Sequence, residues 1–182
     1  AMAVITAGGC IIQIDRFHPK TWWESVRAAG ATIVHYLGVM PAMLLSAAPS
    51  ASDTQHSVRW GFGAGVGAAD HSVFEDRFGF PLVEGWAMTE TGAGAAIHAN
   101  QGARNIGTHY IGQPSSEVQV RVVAEDGSEA RAGQTGELLV RASGPDPRRH
   151  FFSGYLKDEV ATQEAWAGGW FHTGDVVRRD EN

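Results

Sequence analysis

The first half of the chain alternates between short apolar runs, which have the length of strands, and segments whose apolar residues recur at helical spacing. Residues 4–5 and the mostly apolar run 10–14 flank a glycine pair, a pattern that predicts strand, turn and strand. A helix is predicted over 18–30, because proline is favoured in the first turn of a helix and glycine just past its end. The β-branched run at 32–37 predicts a buried strand, and residues 41–47 predict a short helix.

The same alternation continues through the next segment. Residues 57–62 predict a strand that runs into a glycine-rich loop, and residues 70–78 predict a helix that ends at Gly79. A further strand is predicted at 82–83. Strands that alternate with helices are typical of a parallel sheet with helices packed on it, so the fold class predicted for residues 1–105 is α/β.

The pattern changes near residues 100–108, and a boundary between two domains is predicted there. Residues 106–182 are predicted to form a second, β-rich domain, because short runs alternate between apolar and polar positions. The elements predicted in it are strands at 118–122 and 137–141 and a helix at 158–166. Asp158 is expected to cap the first turn of that helix.

Composition and charge exclude several classes of function. With 43% apolar and 19% charged residues the chain resembles a soluble globular protein. A net charge of −6, with lysine only at positions 20 and 157, argues against nucleic acid as a partner. The single cysteine, Cys10, excludes an internal disulfide and favours a reducing compartment, so a cytoplasmic location is predicted. The apolar N-terminal run is too short to span a bilayer, and no membrane span is predicted.

The segment 82–91 concentrates candidate chemistry. Within five residues it offers a flat ring at Trp86, a hydroxyl at Thr89 and a carboxylate at Glu90. A ring that can stack, a hydroxyl and a cation-binding carboxylate are the groups that a magnesium nucleotide requires. The alternative is a strand end followed by a glycine turn and a surface Thr-Glu pair.

The glycine loop supports a second hypothesis. Gly63, Gly65 and Ala68 follow a predicted strand and open a helix, and Glu84 comes about 20 residues later at the end of the next strand, as in dinucleotide-binding fingerprints. An NAD(P)-binding oxidoreductase is therefore one alternative. The loop can equally be a turn that lets a helix approach a sheet. The eight histidines show no spacing that predicts a transition-metal site, and no serine-hydrolase elbow or P-loop is present.

Several motifs taken together resemble the adenylate-forming enzymes, and most closely the acyl-CoA synthetases of the AMP-dependent synthetase and ligase type. Their order and spacing both fit that family over essentially the whole chain. The motifs are Gly63-Ala64-Gly65, Glu84-Gly85-Trp86-Ala87-Met88-Thr89-Glu90, Gly136-Glu137-Leu138, Gly154-Tyr155 and Gly169-Trp170-Phe171-His172-Thr173-Gly174-Asp175.

The resemblance implies both a fold and an activity. The fold would be part of the large N-terminal domain of an acyl-adenylate synthetase, with an α/β subdomain followed by a small distorted β-barrel. The activity would be that of an ATP-dependent carboxylate–CoA ligase, which forms an acyl-adenylate and then transfers the acyl group to coenzyme A. ATP or AMP, Mg²⁺, coenzyme A and a small carboxylic acid are the implied ligands.

The family pattern also assigns roles to residues. Glu90 would bind Mg²⁺ and Thr89 the phosphates, which makes these two the catalytic candidates. Trp86 would stack on adenine and Asp175 would bind the ribose hydroxyls. The full set implied for the nucleotide is Gly63, Ala64, Gly65, Glu84, Gly85, Trp86, Ala87, Met88, Thr89 and Asp175. The set implied for the acid pocket is Tyr36, Val39, Gly63, Gly85, Ala93 and Gly94.

Departures from the family pattern limit what is expected of the chain alone. Ala87 replaces the usual glycine and Trp86 the usual tyrosine. The family's phosphate loop would lie before Ala1, and its hinge and catalytic lysine after Asn182. We therefore expect a piece of a longer ligase that does not catalyse adenylation alone, that contacts the remaining subdomains of its parent, and that can form a homo-oligomer through surfaces they would cover. A non-catalytic, degenerate homologue is the remaining alternative.

Overall fold

The computed structural model describes residues 2–99 and 102–181, which divide into two compact units. The first unit comprises Ala1–Gly85 and Ala99–Ile111, and the second comprises Trp86–His98 and Gly112–Asn182. Part of the predicted domain boundary, Asn100 and Gln101, lies outside the described residues.

The first unit contains a parallel sheet. Strand β1 (Ile33–Leu37) pairs in parallel with β2 (Trp60–Ala64), which in turn pairs in parallel with β3 (Leu82–Trp86). The connecting segments carry helices α3 (Val39–Leu45) and α4 (Ala68–Phe78), and α2 (Trp22–Ala28) precedes β1. The predicted α/β class is confirmed, since parallel strands joined by helices are its defining feature.

The core of this unit lies on one face of the sheet. Val34, Tyr36 and Leu82 point to it and pack with Phe74 and Phe78 of α4. Gly79 ends α4 with a φ of 76°, the left-handed conformation that glycine adopts without steric cost. Residues in alternate positions of β1 are exposed, as expected when only one face of a strand is covered.

The N-terminal prediction was wrong. Residues Met2–Thr6 form a short helix, α1, and no strand occurs in the described part of 7–14. The amides of Gly8 and Gly9 donate to the carbonyls of Ile5 and Val4, so the glycine pair closes a helical turn rather than a hairpin.

The second unit is β-rich. Strands β4 (Ile97–His98) and β5 (Gln113–Pro114) form a short antiparallel pair. Strands β6 (Val118–Val123), β7 (Thr135–Ala142) and β8 (Phe171–Arg178) form an antiparallel sheet with β7 in the centre. The predicted barrel is not confirmed, because no sheet closes on itself among the described residues.

One α-helix of the second unit begins as predicted. Helix α5 (Glu159–Ala165) is capped by Asp158, whose Oδ1 accepts from the amide of Ala161 at 2.9 Å. One turn of 3₁₀ helix, Ala167–Gly169, follows it. Within residues 2–99 and 102–181, every helix is too short or too polar to cross a bilayer.

A partly buried polar network ties residues 104–107 to α4 and β3 within the first unit. Arg104 donates to both carboxylate oxygens of Glu75 on α4 and to the carbonyl of Leu82 at 3.0 Å. His71 Nδ1 accepts from the amide of Gly107 at 3.3 Å, so Nε2 carries the proton and faces Glu75 at 3.1 Å. Burial alone raises the pKa of Glu75, but the hydrogen bonds from Arg104 and the Leu82 amide outweigh it and hold that pKa below its ordinary value.

The network predicts a pH-dependent loss of stability. Replacing Arg104 by Met should lower the free energy of unfolding at pH 7 by about 2 kcal/mol, because a partly buried carboxylate loses charged hydrogen bonds. A carboxylate with a depressed pKa stabilises the fold above its unfolded pKa and loses that contribution as the pH falls through the folded value. The difference between wild type and Arg104→Met, measured by urea unfolding, should therefore shrink as the pH falls below the ordinary carboxyl pKa of 4.5.

Arg16→Met is the matched control, because that guanidinium is 76% exposed and should contribute little. An equal loss for both variants, or a difference that does not change with pH, would contradict the role of the Glu75–Arg104 pair.

Candidate functional site

The carboxylate of Glu84 binds the glycine loop from inside the first unit. The side chain of this β3 residue is buried, and the residue is only 3% exposed. Its Oε2 accepts from the amide of Gly65 at 2.9 Å, and its Oε1 accepts from the amide of Val66 at 3.2 Å. The hydroxyl of Tyr36 donates to Oε1 at 2.5 Å. The buried charge is thus matched by three donors, which is the condition for burying a carboxylate at tolerable cost.

Tyr36 keeps its proton in this arrangement. Burial, and then the hydrogen bond to Glu84, raises the pKa of Tyr36 far above its ordinary value. Its ring and carbonyl lie against Gly63, where an added Cβ would stand 2.1 Å from the Tyr36 carbonyl oxygen, so only glycine fits. Gly65 has a φ of 78°, a second position that favours glycine.

This geometry gives the oxidoreductase alternative no support. A dinucleotide fingerprint needs loop amides directed at a pyrophosphate and an accessible carboxylate for a ribose hydroxyl. Here the Gly65 and Val66 amides bind Glu84 itself. The glycine motif therefore links the end of β2 to β3 through hydrogen bonds to the Glu84 carboxylate.

In the second unit, Trp86 and Asp175 come into direct contact although 89 positions separate them. The indole Nε1 of Trp86 donates to Oδ2 of Asp175 at 2.7 Å. The Asp175 side chain is exposed, and its amide donates to the hydroxyl of Thr173 at 3.0 Å. An aromatic ring and a solvent-accessible carboxylate are thereby brought side by side.

The turn that carries Thr89 and Glu90 is hydrogen-bonded to Phe152 and Tyr155. The amide of Phe152 donates to the Glu90 carbonyl at 2.9 Å, and the hydroxyl of Tyr155 donates to the Glu90 carboxylate at 3.3 Å. Partial burial, and then the charge of Glu90, raises the pKa of Tyr155. The Thr89 side chain is exposed.

Residues assigned to the acid pocket have different surroundings. Val39 is 63% exposed at the start of α3, whereas Tyr36 is buried. Gly94 is buried beneath Phe151, and Ala93 is exposed with its amide bonded to the His150 carbonyl. Their role in binding an acid stays a prediction, as do the individual nucleotide assignments.

Three partners of the site, and one interacting pair elsewhere, were not predicted from the sequence. Glu137 and His172 belong to motifs that were recognised without a role, and so does Tyr155. The pair elsewhere is His71 and Glu75, which stand four residues apart on α4, the spacing at which helical side chains meet. His71 contacts Glu75, Glu75 in turn binds Arg104, and no group of three metal-ligating side chains occurs among the described residues.

A sequence model of the family described as AMP-binding enzyme matches residues 1–156. The chain belongs to the AMP-binding enzyme family. The resemblance predicted from the motifs is thereby confirmed.

Curated relatives of this AMP-binding enzyme chain are CoA ligases. A sulfoacetate–CoA ligase of Cupriavidus necator is 31% identical over 182 residues, which cover 99% of this chain and 34% of that protein. A crotonobetaine/carnitine–CoA ligase of Escherichia coli is 29% identical over 183 residues, which cover 100% of this chain and 34% of that protein. The chain thus spans about a third of the length of these relatives.

Solved structures share the fold at lower identity. ATP-bound MatB from Rhodopseudomonas palustris matches with a TM-score of 0.78 and 24% identity, over 99% of this chain and 34% of that one. A benzoate CoA ligase from Burkholderia xenovorans matches with a TM-score of 0.77 and 19% identity, over 96% of this chain and 34% of that one.

Proposed function

We propose that this chain carries nucleotide-binding residues of an ATP-dependent carboxylate–CoA ligase. Membership of the AMP-binding enzyme family and the CoA ligases among its relatives support the reaction class. The observation that carries the proposal is the 2.7 Å hydrogen bond between Trp86 and Asp175, which joins the two motifs expected to hold adenosine.

The proposed reaction has two steps. A carboxylate oxygen of the acid attacks the α-phosphorus of ATP, which forms an acyl-adenylate and releases pyrophosphate. The thiol of coenzyme A then attacks the acyl carbon, which forms a thioester and releases AMP. The first step needs donors and cations to neutralise charge that builds up on the phosphates.

The side chains of the second unit fit parts of this task. The Asp175 carboxylate is exposed and can accept hydrogen bonds from ribose hydroxyls, while the indole of Trp86 offers a surface for adenine. The exposed hydroxyl of Thr89 can donate to a phosphate oxygen.

Glu90 is the candidate magnesium ligand. Its carboxylate is partly exposed, and the Tyr155 hydroxyl that it accepts from leaves further lone pairs for a cation, so an oxygen ligand of the kind Mg²⁺ prefers is present. When bound, Mg²⁺ would neutralise phosphate charge. Tyr155 would keep the Glu90 carboxylate oriented, since its raised pKa leaves it a donor at neutral pH.

Nucleotide selectivity tests this proposal. Titration calorimetry of the whole chain should detect binding of MgATP and none of NADH. Asp175→Ala should weaken MgATP binding about tenfold, because hydrogen bonds to a charged acceptor are lost.

Val176→Ala, a change in the neighbouring residue that is 75% exposed, should bind MgATP like the wild type. Binding of NADH in preference to MgATP, or MgATP binding unaffected by Asp175→Ala, would refute the proposed site.

We also propose that the chain does not complete adenylation by itself, because it spans about a third of the length of its relatives. Incubation with MgATP and a panel of carboxylic acids, including sulfoacetate and crotonobetaine, should release no pyrophosphate above a no-protein control. Sustained pyrophosphate release that depends on one acid would overturn this expectation.

A further inference from the structure

The ladder between β7 and β8 is interrupted beside Asp175. Leu139 pairs with His172, but the next paired position joins Glu137 to Val176, so one residue of β7 faces three residues of β8. Such bulges bend a strand and redirect a side chain. The three unpaired positions of β8 are Thr173, Gly174 and Asp175.

Side chains replace the ladder hydrogen bonds that the bulge loses. Glu137 Oε1 accepts from the amide of Gly174 at 3.1 Å, and its Oε2 lies 3.0 Å from Nδ1 of His172. The hydroxyl of Thr173 donates to the carbonyl of Leu138 at 2.7 Å. Gly174 has a φ of 73°, so the bulge uses a conformation that favours glycine.

Two contacts fix the position of Asp175, one to its side chain and one to the backbone before it. Trp86 donates to Oδ2, while the Glu137 carboxylate fixes the backbone immediately before Asp175. We infer that Glu137 is a positioning residue, which holds the bulge of β8 so that the Asp175 carboxylate meets both Trp86 and the ribose of a bound nucleotide.

This inference rests on the proposed function only for the identity of the ligand. The contact between Asp175 and Trp86 exists without a nucleotide and can be measured separately. The chain contains six tryptophans, and the indole N–H resonance of Trp86 can be assigned by its loss in Trp86→Phe.

The first experiment follows that resonance in the nucleotide-free chain. Glu137→Ala should move the Trp86 indole N–H signal toward its position in Asp175→Asn, because the bulge loses its support and the hydrogen bond weakens. Glu137→Gln, which keeps one amide oxygen to accept from Gly174, should move it less. Glu125→Ala, an exposed change in the turn after β6, should leave it in place.

The second experiment measures MgATP binding by the same variants. Glu137→Ala should raise the Kd for MgATP about tenfold, and Glu137→Gln should restore part of the loss. If Glu137→Ala does not fold, Gly174→Ala provides the second test, since it keeps Glu137 but disfavours the φ of the bulge and should shift the indole signal and the Kd in the same directions.

The outcomes separate this inference from the proposed function. An indole signal that shifts as expected in a chain that binds no MgATP would support the positioning role and refute the proposed function. An unchanged indole signal and an unchanged Kd in a folded Glu137→Ala variant would overturn the positioning role alone.

Discussion

The hydrogen bond between the Trp86 indole and the Asp175 carboxylate is the interaction on which the functional interpretation depends. It joins the two ends of the second unit's sequence, and it leaves the carboxylate exposed to solvent while fixing one of its oxygens. A carboxylate that is both anchored and accessible is prepared to accept ligand hydroxyls without losing much side-chain entropy on binding. The bulge of β8 is the backbone feature that makes this possible.

In the first unit, the carboxylate of Glu84 is buried, in contrast to the exposed carboxylate of Asp175. It places a charge where solvent cannot reach, and Tyr36 and two loop amides satisfy that charge. The carboxylate thus determines the conformation of a glycine loop whose sequence alone suggests a free anion site. The Gly65 amide is the donor to Oε2, and a different loop conformation would leave that buried oxygen unmatched, so loop shape and strand packing are coupled.

Local structure could be predicted from the sequence where a single residue determines the conformation of its own segment. The aromatic residues of α4 recur at helical spacing and Gly79 ends the helix, and Asp158 caps α5, as expected from sequence. The hairpin predicted at the N-terminal glycine pair was wrong because paired glycines occur at helix ends as well as in hairpin turns. The partners of Glu84 and Glu137 could not be predicted, since these contacts join residues far apart in sequence, and only the family resemblance linked Trp86 to Asp175.

Whether Asp175 contacts the ribose hydroxyls of a bound nucleotide can be measured directly. The affinities of MgATP and its 2′,3′-dideoxy analogue should be measured for the wild type and for Asp175→Ala, which forms a double cycle of protein and ligand changes. Wild type should prefer ATP about tenfold, and the variant should bind both nucleotides equally. The same preference for ATP in both proteins would contradict the proposed contact between Asp175 and the ribose.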